Sequence, residues 1–157
     1  MKTLIVYASK YGCTADCAAY LKTKLSGEVV LVDIEKVTKQ VELSTFDIVT
    51  IGGSIYMSKI AKKLKSFCES NHDALSKKKV GIFLCAALAE QFMENLKSNF
   101  STALLESAKS TKLFGSEVRM EKMKFFDKAI IKTVSKGDFD KFKVSKDSMD
   151  AFIQEMS

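Results

Sequence analysis

Ser9-Lys10-Tyr11-Gly12-Cys13-Thr14 brings together the groups that hold a phosphate: two hydroxyls, a lysine and one glycine. It follows an apolar run, Leu4 to Tyr7, that reads as a buried strand. It leads into Thr14, Ala18, Leu21 and Leu25, which recur at helical spacing. A turn between the carboxyl end of a strand and the amino end of a helix meets an anion with unpaired amide N–H groups and partial positive charge. Ser9 and Thr14 add hydroxyls, and Gly12 lets the backbone come close. The triphosphate signature GxxxxGK[ST] and the dinucleotide signature GxGxxG are both absent. An ordinary capped turn has the same composition, so this loop alone leaves both readings open.

Two further segments offer ligand-facing chemistry. In Gly52-Gly53-Ser54-Ile55-Tyr56-Met57-Ser58-Lys59-Ile60, the two glycines allow a tight turn and close backbone approach, and Tyr56 offers an aromatic face; a polar turn with a half-exposed tyrosine is the alternative. Cys85-Ala86-Ala87-Leu88-Ala89-Glu90 is small and apolar. Cys13, at a helix start where the dipole lowers a thiol pKa, and Cys17 one turn later suggest a redox pair or simply small packing residues. Cys68 and Cys85 lie on apolar faces and read as core. With no CxxC pair and a single histidine, His72, the sequence presents no zinc motif and no metal is expected. His72 reads as a surface loop residue. Glu90, Lys59 and Arg119 fall near these loops without a recognisable acid–base pattern.

These loops need a scaffold, and the chain alternates strand and helix throughout. Leu4–Tyr7, Val29–Val32, Ile48–Ile51, Lys79–Cys85 and Thr111–Phe114 read as strands, with Gly52-Gly53 bounding the third. Helical stripes fall on Ile60, Leu64, Phe67 and Cys68; on Leu88, Phe92, Leu96 and Phe100; and on Met149, Phe152, Ile153 and Met156. Residues 33–46 give a poor helix signal and read as an irregular link. Near-continuous apolar strands separated by helices require a parallel sheet covered on both faces. The expected fold is α/β, a flavodoxin-like doubly wound five-stranded parallel sheet of order 2-1-3-4-5 with helices on both faces. In that order the loops after the first, third and fourth strands, Ser9–Thr14, Gly52–Ile60 and Cys85–Ala89, meet at one switch point. A phosphoacceptor receiver domain shares the topology but needs carboxylates at the ends of its first and third strands. Tyr7-Ala8-Ser9 and Ile51-Gly52-Gly53 supply none.

At 157 residues and 46% hydrophobic content, the chain suits a single domain over 1–157, and no apolar run approaches the ~20 residues of a membrane span. Leu4–Ala8 is too short for a signal-peptide core, which leads to the expectation of a cytoplasmic protein with reduced thiols. The net charge of +6 suits an acidic small molecule or an anionic membrane surface. Lysines scattered without interleaved aromatics make nucleic acid an unsuitable partner.

Three pieces resemble the flavodoxin-domain group that includes the menaquinone-dependent protoporphyrinogen oxidases: Lys2-Thr-Leu-Ile-Val-Tyr-Ala-Ser9 with Gly12-x-Thr14, Ile51-Gly-Gly-Ser-Ile-Tyr56, and Phe125-Phe-Asp-Lys-Ala-Ile-Ile-Lys132. The first loop is similar to the Thr/Ser-x-Thr-Gly-x-Thr phosphate loop of flavodoxins, departing at Tyr11. The resemblance implies FMN, its phosphate on Ser9, Lys10, Tyr11, Gly12, Cys13 and Thr14, and its ring between Ser54–Ile55–Tyr56 and Cys85–Ala86–Ala87–Leu88. It implies an oxidoreductase that passes electrons from a reduced, acidic substrate such as a porphyrinogen to a quinone or redox protein. The alternatives are an electron carrier with no substrate of its own and a flavin-free binding module. With no aromatic between Cys85 and Gln91, one ring face is expected to be poorly covered, open to a planar partner.

The third piece lies in a basic insert at about 116–144, where Lys122, Lys124, Lys128, Lys132 and Lys136 face only Glu121 and Asp127 over Met120–Lys136. Lys124, Lys128, Lys132 and Lys136 form one helical stripe, with Phe126, Ala129, Ile130, Thr133 and Val134 opposite and Phe125 on the basic side. Such a helix suits peripheral contact with the inner membrane face, or ordinary packing on the sheet with a solvated lysine face.

Overall fold

The computed structural model describes residues 1–117, 120–122, 124, 127–129, 132–133 and 143–157. Five strands form one all-parallel sheet: β1 (Lys2–Ala8), β2 (Glu28–Asp33), β3 (Ile48–Ser54), β4 (Lys79–Cys85) and β5 (Ser110–Gly115), in the order β2-β1-β3-β4-β5. The strand order is the one the sequence implies. Every strand but β4 runs one to three residues beyond its apolar run, because the ladder hydrogen bonds are made by the backbone and continue through small and polar residues such as Thr3, Gly52, Gly53 and Ser110.

Helix α1 (Cys13–Lys24) and helix α6 (Lys146–Met156) cover one face of the sheet. There Leu21, Phe152 and Met156 close over Ile5, Phe83 and Phe114. Helices α2 (Lys62–Ser70), α4 (Phe92–Asn99) and α5 (Thr102–Ser107) cover the other face, packing Leu64, Leu96 and Leu104 against Val49, Ile51 and Ile82. A short α3 (His72–Leu75) follows α2, and exposed His72 is its first residue rather than a loop residue. No helix or strand forms over residues 34–47, as the weak periodicity there suggests.

Two expectations change. Gly52 and Gly53 do not form a turn; both lie inside β3, paired with Tyr7 and Ala8 of β1. A Cβ on Gly52 would stand 2.1 Å from Phe83 Cζ, and one on Gly53 would stand 3.0 Å from Leu64 Cδ2. Gly52 makes room for the ring of Phe83 on neighbouring β4, and Gly53 for Leu64 of α2. The helix expected from Leu88 to Phe100 instead begins with a 3₁₀ turn at Ala89–Gln91 and continues as α4. Ser101 then caps α5, its Oγ accepting from the Leu104 N–H at 3.2 Å.

At the end of β5, Gly115 (φ 86) bridges to Val144, and the Ser145 N–H donates to Phe114 O at 2.7 Å. The chain thus leaves the sheet and rejoins it at the same point. Of the insert's lysine stripe, Lys124 and Lys132 are exposed and Lys128 is half-buried. Ala129 and Thr133, expected opposite the lysines, are exposed as well; among the described residues of 121–133 the buried one is Asp127. Phe125, Phe126, Ile130, Val134, Lys136 and Arg119 lie outside the described residues.

Candidate functional site

Parallel register brings the carboxyl ends of β1, β3 and β4 level: Ala8 pairs with Gly53, and Ser54 with Cys85. The three loops that leave these strands are therefore neighbours. In the first, Gly12 adopts a left-handed conformation (φ 96, ψ −13) as the N-cap of α1. Ser9 Oγ accepts from the Gly12 N–H at 3.1 Å and the Ala15 N–H at 3.2 Å. A hydroxyl oxygen has two acceptor sites, so Ser9 has its O–H left to donate, and donation suits an anion. Thr14, fully buried, shares a 2.7 Å hydroxyl–hydroxyl bond with Ser54 of β3, which ties the first loop to the second. One of that pair's two protons is used between them and the other remains to donate outward.

The second loop is pinned at both ends. The Ile55 N–H donates to Cys85 O at 3.0 Å, and Tyr56 and Lys59 exchange backbone bonds of 2.9 and 3.0 Å. Between them Met57 (φ 52) and Ser58 (φ 65) are both left-handed, the geometry of a tight hairpin turn made without glycine. Buried Asn99 of α4 holds this turn: its Oδ1 accepts from the Ile60 N–H at 3.0 Å, and its Nδ2 donates to Ser58 O at 2.9 Å. Met57 is 63% exposed at the tip.

The third loop, Cys85 to Leu88, is fixed by the Ala86 N–H donating to Gly115 O at 3.0 Å. Between the loops lies a cavity of about 280 Å³, near the lower end of ligand pockets at roughly 300–1,000 Å³. Its walls include Tyr11, Tyr56, Ile55, Ala87, Leu88 and Asp127. Asp127, only 5% exposed, comes from the insert and acts as a hub. It accepts from the Tyr11 hydroxyl, from the Tyr56 hydroxyl at 2.6 Å, and pairs with Lys10 Nζ at 3.2 Å. Lys10 Nζ also sits 2.9 Å from the Tyr56 ring centroid. Lys10 and Tyr56 form the partition between this cavity and a second cleft of about 590 Å³ that Ser9, Glu35, Lys59 and Lys62 also line.

All four cysteines are buried thiols. Hydrogen bonding to Cys13 and burial push the Cys17 thiol up to about 12, and contact with Cys13 and Cys17 together with burial raises Cys85 well above its ordinary value. Burial, with the neighbouring Glu69 charge, pushes the Cys68 thiol up to about 12. A Cys13–Cys17 pair activated by the helix start does not suit this environment, because neighbouring thiols and burial outweigh the helix dipole at Cys17.

Of the residues singled out from the sequence, Lys10, Tyr11, Cys13, Ser54, Ile55, Tyr56, Cys85, Ala86, Ala87 and Leu88 all line the cavity. Ser9, Gly12 and Thr14 build the loop beneath it. Lys59 and Glu90 are exposed, and Arg119 lies outside the described residues. Sequence reasoning missed three contributors. Asp127 counted only as a charge in the insert; its signal was a lone acid in a basic segment, where two site tyrosines and a lysine needed an acceptor. Asn99 and Asn95, both buried, carried a signal as polar residues on an otherwise apolar helix stripe.

A hydroxyl-donating loop at a helix start, opening onto a cavity with aromatic and small apolar walls, defines a mononucleotide-binding α/β protein of the flavin type. The donors left on Ser9 and on the Thr14–Ser54 pair suit a phosphate, and the Tyr56 wall suits a flat ring. The sequence profile described as "Flavodoxin domain" matches residues 4–145, and the chain belongs to that family, with FMN as its cofactor. No curated protein sequence matches it. Among solved structures, oxidised flavodoxin 1 from Bacillus cereus is similar at 15% identity and a TM-score of 0.54, over 99% of this chain and 97% of that one. A WrbA-like flavodoxin from Agrobacterium tumefaciens is similar at 21% identity and a TM-score of 0.51, over 77% and 87%. Rubredoxin oxygen:oxidoreductase from Desulfovibrio gigas matches 99% of this chain with 37% of its own, at 14% identity and a TM-score of 0.54. At these identities the likeness speaks to the fold.

Proposed function

We propose that this protein is an FMN-dependent oxidoreductase that takes electrons from a small, acidic substrate and passes them to a quinone or another acceptor. A porphyrinogen and menaquinone are the specific pair. The observation that carries this reading is Asp127, which comes from the segment between β5 and α6, lines the cavity and ties together Tyr11, Tyr56 and Lys10 beside the adjoining cleft of about 590 Å³. FMN, when bound, supplies one- and two-electron chemistry.

The chain's own residues do the rest. Ser9, Gly12 and Thr14 hold the phosphate end. Tyr56 gives an aromatic face, while Ala86, Ala87 and Leu88 exclude water without adding an aromatic ring, which leaves one flat face for a planar partner. Lys10, Lys59 and Lys62 beside the adjoining cleft attract carboxylates. No helix among the described residues is long and apolar enough to cross a membrane, so a membrane quinone would be met from the surface, through exposed Lys124 and Lys132.

Anaerobic oxidation of a porphyrinogen by the FMN-loaded protein, with and without a soluble menaquinone analogue, tests the reading. Quinone-dependent turnover is expected. FMN binding without turnover of any porphyrinogen points instead to a carrier without its own substrate. Co-flotation with anionic but not neutral vesicles is expected, and equal flotation with both would end the membrane contact.

A further inference from the structure

The fold assembles a cluster that the sequence spacing hides. Cys13 and Cys17, one turn apart on α1, meet Cys85 from the end of β4, and the three Sγ atoms all lie within 4.8 Å of one another. Cys17 and Cys85 are 3.9 Å apart, sulfur to sulfur. The three residues are 8%, 3% and 4% exposed, in the apolar layer with Ile5, Phe83 and Phe114.

We propose that Cys13, Cys17 and Cys85 form a three-thiolate site for a soft monovalent cation, copper(I). Metal–sulfur bonds of about 2.3 Å hold three sulfurs of a planar three-coordinate site roughly 4 Å apart; Cys17 and Cys85 already stand at 3.9 Å, and Cys13 Sγ lies within 4.8 Å of both. An all-sulfur donor set selects soft metals. Among the described residues no histidine or carboxylate joins the cluster, so the fourth donor of a tetrahedral zinc site is missing. On loading, three S–H bonds break, three Cu–S bonds form and three protons leave. No electrons move, and the site then carries a charge of two minus. The positive end of the α1 dipole, at Cys13, partly offsets that charge. Cys13 and Cys85 also line the flavin cavity, but copper uptake is read on the flavin-free chain, so the proposal stands or falls apart from the FMN reading.

The test is anaerobic titration of the reduced full-length protein with copper(I) against a chromophoric copper(I) chelator. One copper per chain is expected, with a sulfur-to-copper charge-transfer band in the ultraviolet. Cys17→Ser removes a donor that does not line the flavin cavity, and is expected to weaken copper by at least about 100-fold, the upper end of what losing an outer-shell partner costs, while FMN affinity holds. Cys68→Ser removes a buried thiol from the opposite face and is expected to change nothing. X-ray absorption of the copper-loaded wild type should give three sulfur neighbours, which keeps the proposal testable should C17S fold poorly. Binding unaffected by C17S, abolished by C68S, or made through nitrogen and oxygen donors overturns the site, as does an absence of copper uptake.

Discussion

Asp127 places a carboxylate in a cavity wall where Lys10, Tyr11 and Tyr56 all point at it. Removing such an acceptor leaves donors unsatisfied in partly buried surroundings, so Asp127→Asn is expected to lower unfolding free energy in urea by about 1–3 kcal/mol. Tyr56→Phe, which deletes one of the donors, should cost about 0.5–1.5 kcal/mol. An unchanged urea midpoint for D127N would mean that the hub holds nothing. Cys68 gives a pH signature. Its thiol is near 9 in an ordinary environment and about 12 in the fold. The folded chain therefore keeps a proton that the unfolded chain gives up, so this contribution is full below pH 9 and falls away as pH rises toward 12. Urea melts across that window should show stability declining with pH, and Cys68→Val should flatten the decline. At this scale the sequence was most legible where residues sit next to one another, as in Ser9–Thr14. It was least legible where a fold contact assigns the role, as at Asp127, more than a hundred residues from Tyr11.

The turn Met57-Ser58 and the strand glycines show what individual elements ask of their residues. A left-handed conformation costs an L-residue roughly 1–2 kcal/mol, and Met57 and Ser58 both adopt it. Ser58→Gly should therefore raise stability by about 1 kcal/mol, read as a higher urea midpoint. Asn99→Ala should lower it by about 1–3 kcal/mol, because the Ile60 N–H and Ser58 O lose their partner. If the two changes move stability in the same direction, the turn is not strained as described. Gly52→Ala meets the Phe83 ring and should be destabilising by about 1–3 kcal/mol. These glycines also explain why the end of β3 was misread. Gly-Gly after an apolar run suggests a turn, and only the ring of Phe83 lying over the strand reveals a packing requirement. The split of the Leu88–Phe100 stripe into a 3₁₀ turn and α4 was hidden in the same way, since Phe92 packs on the core in either form while Leu88 lines the cavity.

Over the whole molecule, the alternation of apolar strands with amphipathic helices was sufficient to give the sheet order and the three loops at its switch point. Hydrophobic burial follows pattern, and pattern is visible in sequence. The path of the insert was not, because its lysine stripe constrains which face meets water and says little about what the other face covers. Charge acts at this scale too. With +6 overall and Lys59 and Lys62 beside the cleft, turnover of an acidic substrate should fall as salt rises. The double variant Lys59→Glu/Lys62→Glu should lower kcat/KM for that substrate by about 10-fold and leave a neutral substrate unaffected. Salt-independent rates would remove the electrostatic part of the proposal.

The central claim is that a helix start at Gly12, with the hydroxyls of Ser9 and Thr14, seats the phosphate of FMN. Equilibrium titration of the purified chain with FMN and with riboflavin, followed by flavin fluorescence, measures this directly. One FMN per chain should bind at micromolar concentration or below, riboflavin should bind at least about 10-fold more weakly, and Gly12→Ala should weaken FMN by a similar factor. Equal affinity for FMN and riboflavin, or no binding of either, would contradict it.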